Sequence, residues 1–99
     1  MLWVIHCLDG PDAAARRAAA RPEHSARLRA GHLRPVLYGP LVTADGGDAI
    51  GSLIVIEAET RKEVADYVNG DPFAVSGVWE RIDIQAFTPS ERSPVRLHG

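Results

Sequence analysis

A single cysteine, Cys7, rules out an internal disulfide and any zinc cluster built on cysteines. Inside the apolar stretch LWVIHCL it reads as a small buried hydrophobe, with no basic or helix-terminal neighbour to favour its thiolate. No apolar run approaches the ~18 residues that a bilayer-crossing helix needs, and the opening MLWVIHCLDG lacks a basic leader and a small-residue cleavage site. The expectation is a cytoplasmic protein with no membrane partner. Neither sign of charge dominates: 11 basic and 13 acidic residues are spread along the chain and leave a net charge of -2, which gives no electrostatic footprint for nucleic acid. The four histidines, at 6, 24, 32 and 98, have neither H-x-H nor i, i+4 spacing, so the sequence assigns no metal and no cofactor.

What is present is an alternation of strand and helix signals sized for one domain of 99 residues, small enough to leave much of its surface uncovered unless a second chain helps. Residues 2–8 are β-branched and aromatic and stop at Asp9-Gly10-Pro11. From Asp12 as N-cap, the alanine-rich segment predicts a helix over about 12–30, kinked or split at Pro22 and ended near Gly31. LRPVLYGPL is a second strand whose Pro35 requires an edge or an irregular start. TADGGDA supplies a hairpin turn, and IGSLIVIEA a third, strongly apolar strand. Thr60 to Glu63 form a capping-box pattern that opens a helix with Val64, Tyr67 and Val68 inward and Gly70 as a left-handed stop. In VWERIDIQAF, Ile82, Ile84 and Ala86 alternate with Arg81, Asp83 and Gln85, the pattern of a fourth strand. Residues 1–87 thus form a single domain, and the polar tail 88–99 is loose or draped over a neighbouring chain.

The order β-α-β-β-α-β predicts an α+β, ferredoxin-like fold: a four-stranded antiparallel sheet with both helices on one face. Along the first strand Leu2, Val4 and Leu8 oppose Trp3, Ile5 and Cys7, and along the third Ile50, Ile54 and Ile56 oppose Leu53 and Val55. Both faces are apolar, yet helices cover only one, so the pattern predicts a homodimer in which two sheets pack or close into a shared barrel. Burial of Trp3, Ile5 and Val55, at ~1.5–3 kcal/mol each, is expected to drive association.

His32 and His98 are expected to be solvated, and His6, on the face of Val4 and Leu8, to be a packed, hydrogen-bonded histidine. His24 follows Arg21-Pro22-Glu23 and shares the inward helix face with Leu28. Asp71, between Gly70 and Pro72, fits an ordinary N-cap, and an ionised carboxylate has about four acceptor sites, enough to cap a helix and still engage an imidazole. Ser52 and Arg21 are candidates for holding a substrate carboxylate, with a backbone-bonded hydroxyl and a solvated helix charge as the plain alternatives.

LWVIHCLDGPD, RPEH, YGPL, IGSLIVIEAET and GDPFAVSGVWERIDIQAF together resemble the YCII-related (YciI-like) family over residues 2–87. The resemblance implies a dimeric α+β barrel with a catalytic histidine and aspartate at His24 and Asp71, and one branch of the family is similar to chloromuconolactone dehalogenases. The expected function is then a small cofactor-independent enzyme, a lyase, isomerase or dehalogenase working by proton transfer on a small carboxylate or lactone. The alternatives are a non-catalytic metabolite-binding or stress-associated dimer and a pure interaction module.

Overall fold

The computed structural model describes residues 1–97; the expectation for His98 lies outside them. The elements run β1 (Leu2–Asp9), α1 (Ala14–Ala30), β2 (Arg34–Val42), β3 (Ala49–Glu57), α2 (Arg61–Asn69), α3 (Pro72–Val75) and β4 (Trp79–Phe87). The strands form one antiparallel sheet in the order β2-β3-β1-β4, the ferredoxin-like arrangement with a short extra helix ahead of the last strand. Apolar β1 is interior to the sheet, with Ile5 opposite Ile54 on one side and Ile84 on the other. Strand β2 is an edge, as Pro35 requires, and its register slips between Pro35 and Leu37.

Cross-strand pairing decides which side chains share a face. Trp3, Ile5 and Cys7 pair with Ile56, Ile54 and Ser52 on β3 and with Ala86, Ile84 and Ile82 on β4, and this face carries the helices. Leu28 of α1, Val64, Tyr67 and Val68 of α2, and Phe73 of α3 close the core above it. Val4, Leu8, Leu37, Leu53, Val55 and Phe87 belong to the opposite face, where Leu37 is 50% and Phe87 42% exposed. The expectation that Trp3 and Ile5 await a second chain is therefore corrected: they are 9% and 0% exposed within this chain's own core. Of that trio only Val55 faces away from the helices. One residue of register separates the two sets, because Val55 pairs with Val4 while Ile54 pairs with Ile5.

Several local expectations also change. Helix α1 is one 17-residue element across Pro22, not two pieces. Pro22 cannot donate to the Ala18 carbonyl, but both residues lie on the exposed side, where water can satisfy that group. Asp12 is not the N-cap; it adopts φ 58° in the turn after Pro11, and Ala13 precedes the helix without a side-chain cap. Gly70 has φ -90°, since the chain passes straight into the extended residue Asp71, and the left-handed position falls instead at Gly77, φ 77°. His6 is half-buried and its ring has no hydrogen-bond partner among the described residues, because its side chain projects from the uncovered face. His32 is exposed, as expected, with its ring edge against Tyr67. The capping box forms as read: Glu63 N donates to Thr60 Oγ1 at 3.2 Å, and Thr60 N to Glu63 Oε1 at 3.1 Å. In the tail, Arg96 Nη1 donates to the carbonyls of Glu91 and Ser93, folding that segment back on itself.

Gly51 lies tight against β1: a Cβ there would lie 2.2 Å from the Cys7 carbonyl oxygen, whereas one at Gly39 would meet nothing within 4 Å. Gly51→Ala is expected to lower stability by about 1–3 kcal/mol and Gly39→Ala to leave it nearly unchanged, as read from urea unfolding midpoints.

Candidate active site

The segment Asp71-Pro72-Phe73 delivers two side chains at once. Asp71 caps α3, its Oδ1 accepting from Phe73 N at 2.8 Å, and Pro72 occupies the first helical position, where a missing amide hydrogen costs nothing. The same carboxylate, fully buried, meets His24 Nδ1 at 2.7 Å (Oδ1) and 2.9 Å (Oδ2). Arg27, one turn further along α1, puts Nη1 3.9 Å from Oδ2 and donates to the Tyr67 carbonyl at 2.7 Å. The Phe73 amide and the Arg27 guanidinium are thus donors beside this carboxylate, and His24 joins them in the tautomer that carries its proton on Nδ1. Phe73 stacks on the His24 ring at 3.9 Å and 14°, and Trp79 closes edge-on at 5.9 Å. The imidazole is pinned by its Nδ1 edge and by one face.

Pinning fixes the chemistry available. An imidazole whose Nδ1–H is given to a carboxylate carries its free lone pair on Nε2 when neutral. Nε2 has no hydrogen-bond partner among the described residues and is not sealed from solvent. It belongs to a residue lining a cavity of about 500 Å³ between α1 and the β2–β3 half of the sheet. Such a group can take a proton from a ligand in that cavity and return it.

Of the residues proposed from sequence, His24 and Asp71 are in direct contact, Ser52 is at the cavity wall and 3% exposed, and Arg21 lines the cavity as an exposed side chain without a hydrogen bond among the described residues. Arg17 and Asp9 escaped the sequence reading. Arg17 Nε donates to Asp9 Oδ2 at 2.8 Å, while Nη2 donates to Asp9 Oδ1 at 3.2 Å, to the Gly51 carbonyl at 2.7 Å and to Ser52 Oγ at 3.0 Å. Its guanidinium lies 4.6 Å over the Phe73 ring. A register shift between Leu8 and Asp9 re-aims the end of β1 toward this arginine. The legible signal was helical spacing: Arg17, Arg21, His24 and Leu28 recur every three or four residues, so all share the face on which His24 was placed. Asp9 looked like a turn residue and gave no such sign.

Two buried groups near the site are chemically quiet. Burial, reinforced by the negative charges of Asp71, Asp9 and Asp83, pushes the Cys7 thiol up from 9.0 to about 12. Burial likewise raises the Tyr67 phenol above 10.0, and its hydroxyl has no hydrogen-bond partner among the described residues. Native protein at pH 8 should therefore resist a thiol-specific chromogenic disulfide, and Cys7 should react fully only when urea unfolds the chain; rapid native labelling would contradict its placement.

Comparison with known proteins agrees with this architecture. Residues 1–88 match the YCII-related domain. Protein YciI of Escherichia coli O6:H1 and Protein YciI of Shigella flexneri are each 31% identical over 94 residues, covering 88% of this chain and 96% of theirs. Among solved structures, 5-chloro-2-hydroxyhydroquinone dehydrochlorinase (TftG) from Burkholderia phenoliruptrix AC1100, in complex with 2,5-dihydroxybenzoquinone, superposes with a TM-score of 0.81 at 28% identity over 92% of this chain and 97% of that one. With the domain matched over nearly its whole length and a ferredoxin-like sheet presenting His24 to a buried carboxylate, the chain belongs to the YCII-related family.

Proposed function

We propose that this protein is a cofactor-independent enzyme that moves a proton on a small, oxygen-rich cyclic acid, a hydroxylated quinone-type ring or a lactone, and expels a leaving group where the substrate carries one. The observation that carries the reading is the contact of His24 Nδ1 with Asp71 at 2.7 Å, with Nε2 left for the cavity. His24 acts as base: Nε2 takes a proton, and the electron pair released forms a new double bond. On saturated ring carbons with a halide on the neighbour, that pair displaces halide ion; on a chlorinated hydroxyhydroquinone the proton is first placed on the chlorine-bearing carbon to give the keto tautomer, and loss of a hydroxyl proton then expels chloride, so the net change in both is loss of hydrogen halide. Without a leaving group, return of the proton at another atom gives isomerisation. Asp71 holds the imidazole tautomer and balances the charge that His24 acquires. Ser52 and Arg21 contribute to substrate binding, Arg21 from the exposed side of the cavity. The solved dehydrochlorinase supports the reaction class, since it is named for a chlorinated hydroxyhydroquinone and its bound ligand is a dihydroxybenzoquinone.

His24→Asn and Asp71→Asn are each expected to lower kcat on 5-chloro-2-hydroxyhydroquinone by ~10²–10⁴-fold, measured as chloride release, because the general base or its orientation is lost. Wild-type protein that binds 2,5-dihydroxybenzoquinone but turns over neither this compound nor simple lactones would favour a metabolite-binding role.

The same family reading supports a homodimer across the uncovered sheet face. Leu8 and Leu37 there are 37% and 50% exposed beside half-buried Val4 and Leu53, while β4 contributes Arg81, Asp83 and Gln85 at one side. Sedimentation at micromolar concentration should give a dimer, and Leu37→Asp a monomer, because the charge would be buried without a partner. A wild-type monomer would remove the dimer from the proposal.

A further inference from the structure

Arg17 presents one edge to the protein and another to the cavity. Its Nε and Nη2 are held by Asp9, the Gly51 carbonyl and Ser52 Oγ, and the ring of Phe73 supports one face of the guanidinium. Its Nη1 makes no hydrogen bond among the described residues and is not sealed from solvent, although the side chain is only 14% exposed and lines the cavity. Ser52 is unusual in the same way. Its Oγ accepts from Arg17 Nη2 at 3.0 Å and from Trp79 Nε1 at 3.2 Å, which occupies both lone pairs. The hydroxyl hydrogen is then left to donate, and no acceptor for it exists among the described residues, though the residue is 3% exposed. Two locked side chains therefore keep donors without an acceptor among the described residues, and both residues line the cavity that His24 also lines.

We infer that Arg17 Nη1 and Ser52 Oγ–H form an oxyanion subsite that receives the substrate's anionic oxygen, an enolate- or phenolate-type oxygen conjugated with the carbon from which His24 removes a proton. The inference rests on the proposed reaction and names where its negative charge goes: the proton moves to Nε2, and the electron pair is delocalised onto the oxygen held by Arg17 and Ser52. Donors fixed before the reaction need no reorganisation as charge develops, which is what makes such a subsite effective. Asp9 serves as a positioning residue here. Its carboxylate takes the Nε and Nη2 edge of Arg17 and thereby turns Nη1 inward. Arg21 lacks any such support and is exposed.

The test is a calorimetric titration with 2,5-dihydroxybenzoquinone, a vinylogous acid ionised at neutral pH, beside its uncharged dimethyl ether. Wild-type protein should prefer the anion. Arg17→Gln should weaken anion binding about 10- to 100-fold, and Ser52→Ala about 3- to 10-fold, while binding of the ether changes by less than about twofold. If Arg17→Gln does not fold, Arg17→Lys is read instead; it keeps the charge but not the fork, and should lose part of the anion preference with ether binding intact. Proportional loss for both compounds would assign Arg17 to pocket structure and overturn the subsite, as would an unchanged anion preference. Wild-type protein that binds neither compound would overturn the subsite together with the substrate class, whereas loss of the preference in Arg17→Gln with chloride release absent from wild type would leave the subsite standing and remove the reaction.

Discussion

A buried carboxylate dictates much of this molecule. Asp71 is 0% exposed, and a carboxylate taken out of water is tolerated only where donors replace its hydration. Two elements supply them, α1 with His24 and Arg27 and α3 with the Phe73 amide, while the connection between α2 and α3 brings Asp71 itself to the meeting point. Even Gly70 answers to this constraint, since a Cβ there would lie 3.0 Å from Arg27 Nη2. The helices thus dock on the sheet through polar contacts of fixed geometry as well as through the apolar core. The seam between α1 and α3 is where the fold spends its polar groups.

The same region holds two acid-paired side chains that line one cavity. His24 with Asp71 and Arg17 with Asp9 stand two helical turns apart on α1, and the Phe73 ring contacts both the imidazole and the guanidinium. An aromatic face attracts a cation, so Phe73 stabilises Arg17 while its stacking fixes His24. Asp71 and Asp9 are not among the residues that line the cavity, and each of their partners, His24 and Arg17, keeps one nitrogen without a hydrogen bond among the described residues. The result is a basic group and a donor group held in one wall, which is the minimum for moving a proton and accommodating the charge left behind. Burial pushes the Cys7 thiol up to about 12, so it adds no anionic group to this region.

The sheet supplies rigidity and also an asymmetry. Its helix-covered face is closed around β1, with Ile5, Ile56, Val64 and Val78 fully buried, and stays open over β2, where Tyr38 lines the cavity at 47% exposure. Its other face is apolar along β1 and β2 and polar along β4. Alternation made both faces legible as apolar, but alternation has no origin: it says which residues are alike and leaves open which set the helices choose. Pairing of Ile5 with both Ile54 and Ile84 makes that choice, by bringing three branched side chains together beneath α1 and α2.

Local chemistry in the sequence determined the elements and their order, because capping boxes, proline positions and period-two apolar runs act over a few residues. Thr60 and Glu63, Pro35 at the edge, and Asp71 with Pro72 were readable for that reason. So was the inward side of His24, from helical spacing with Leu28. Its pairing with Asp71, 47 residues away, was readable only through likeness to a family. Tertiary structure alone decided the rest. Asp9 became a partner of Arg17 because a register shift at the end of β1 turned it there, and Trp3 joined the core because β3 pairs one residue out of step with the alternative. Contacts between groups distant along the chain depend on register and crossing, and neither is written in any short stretch of residues.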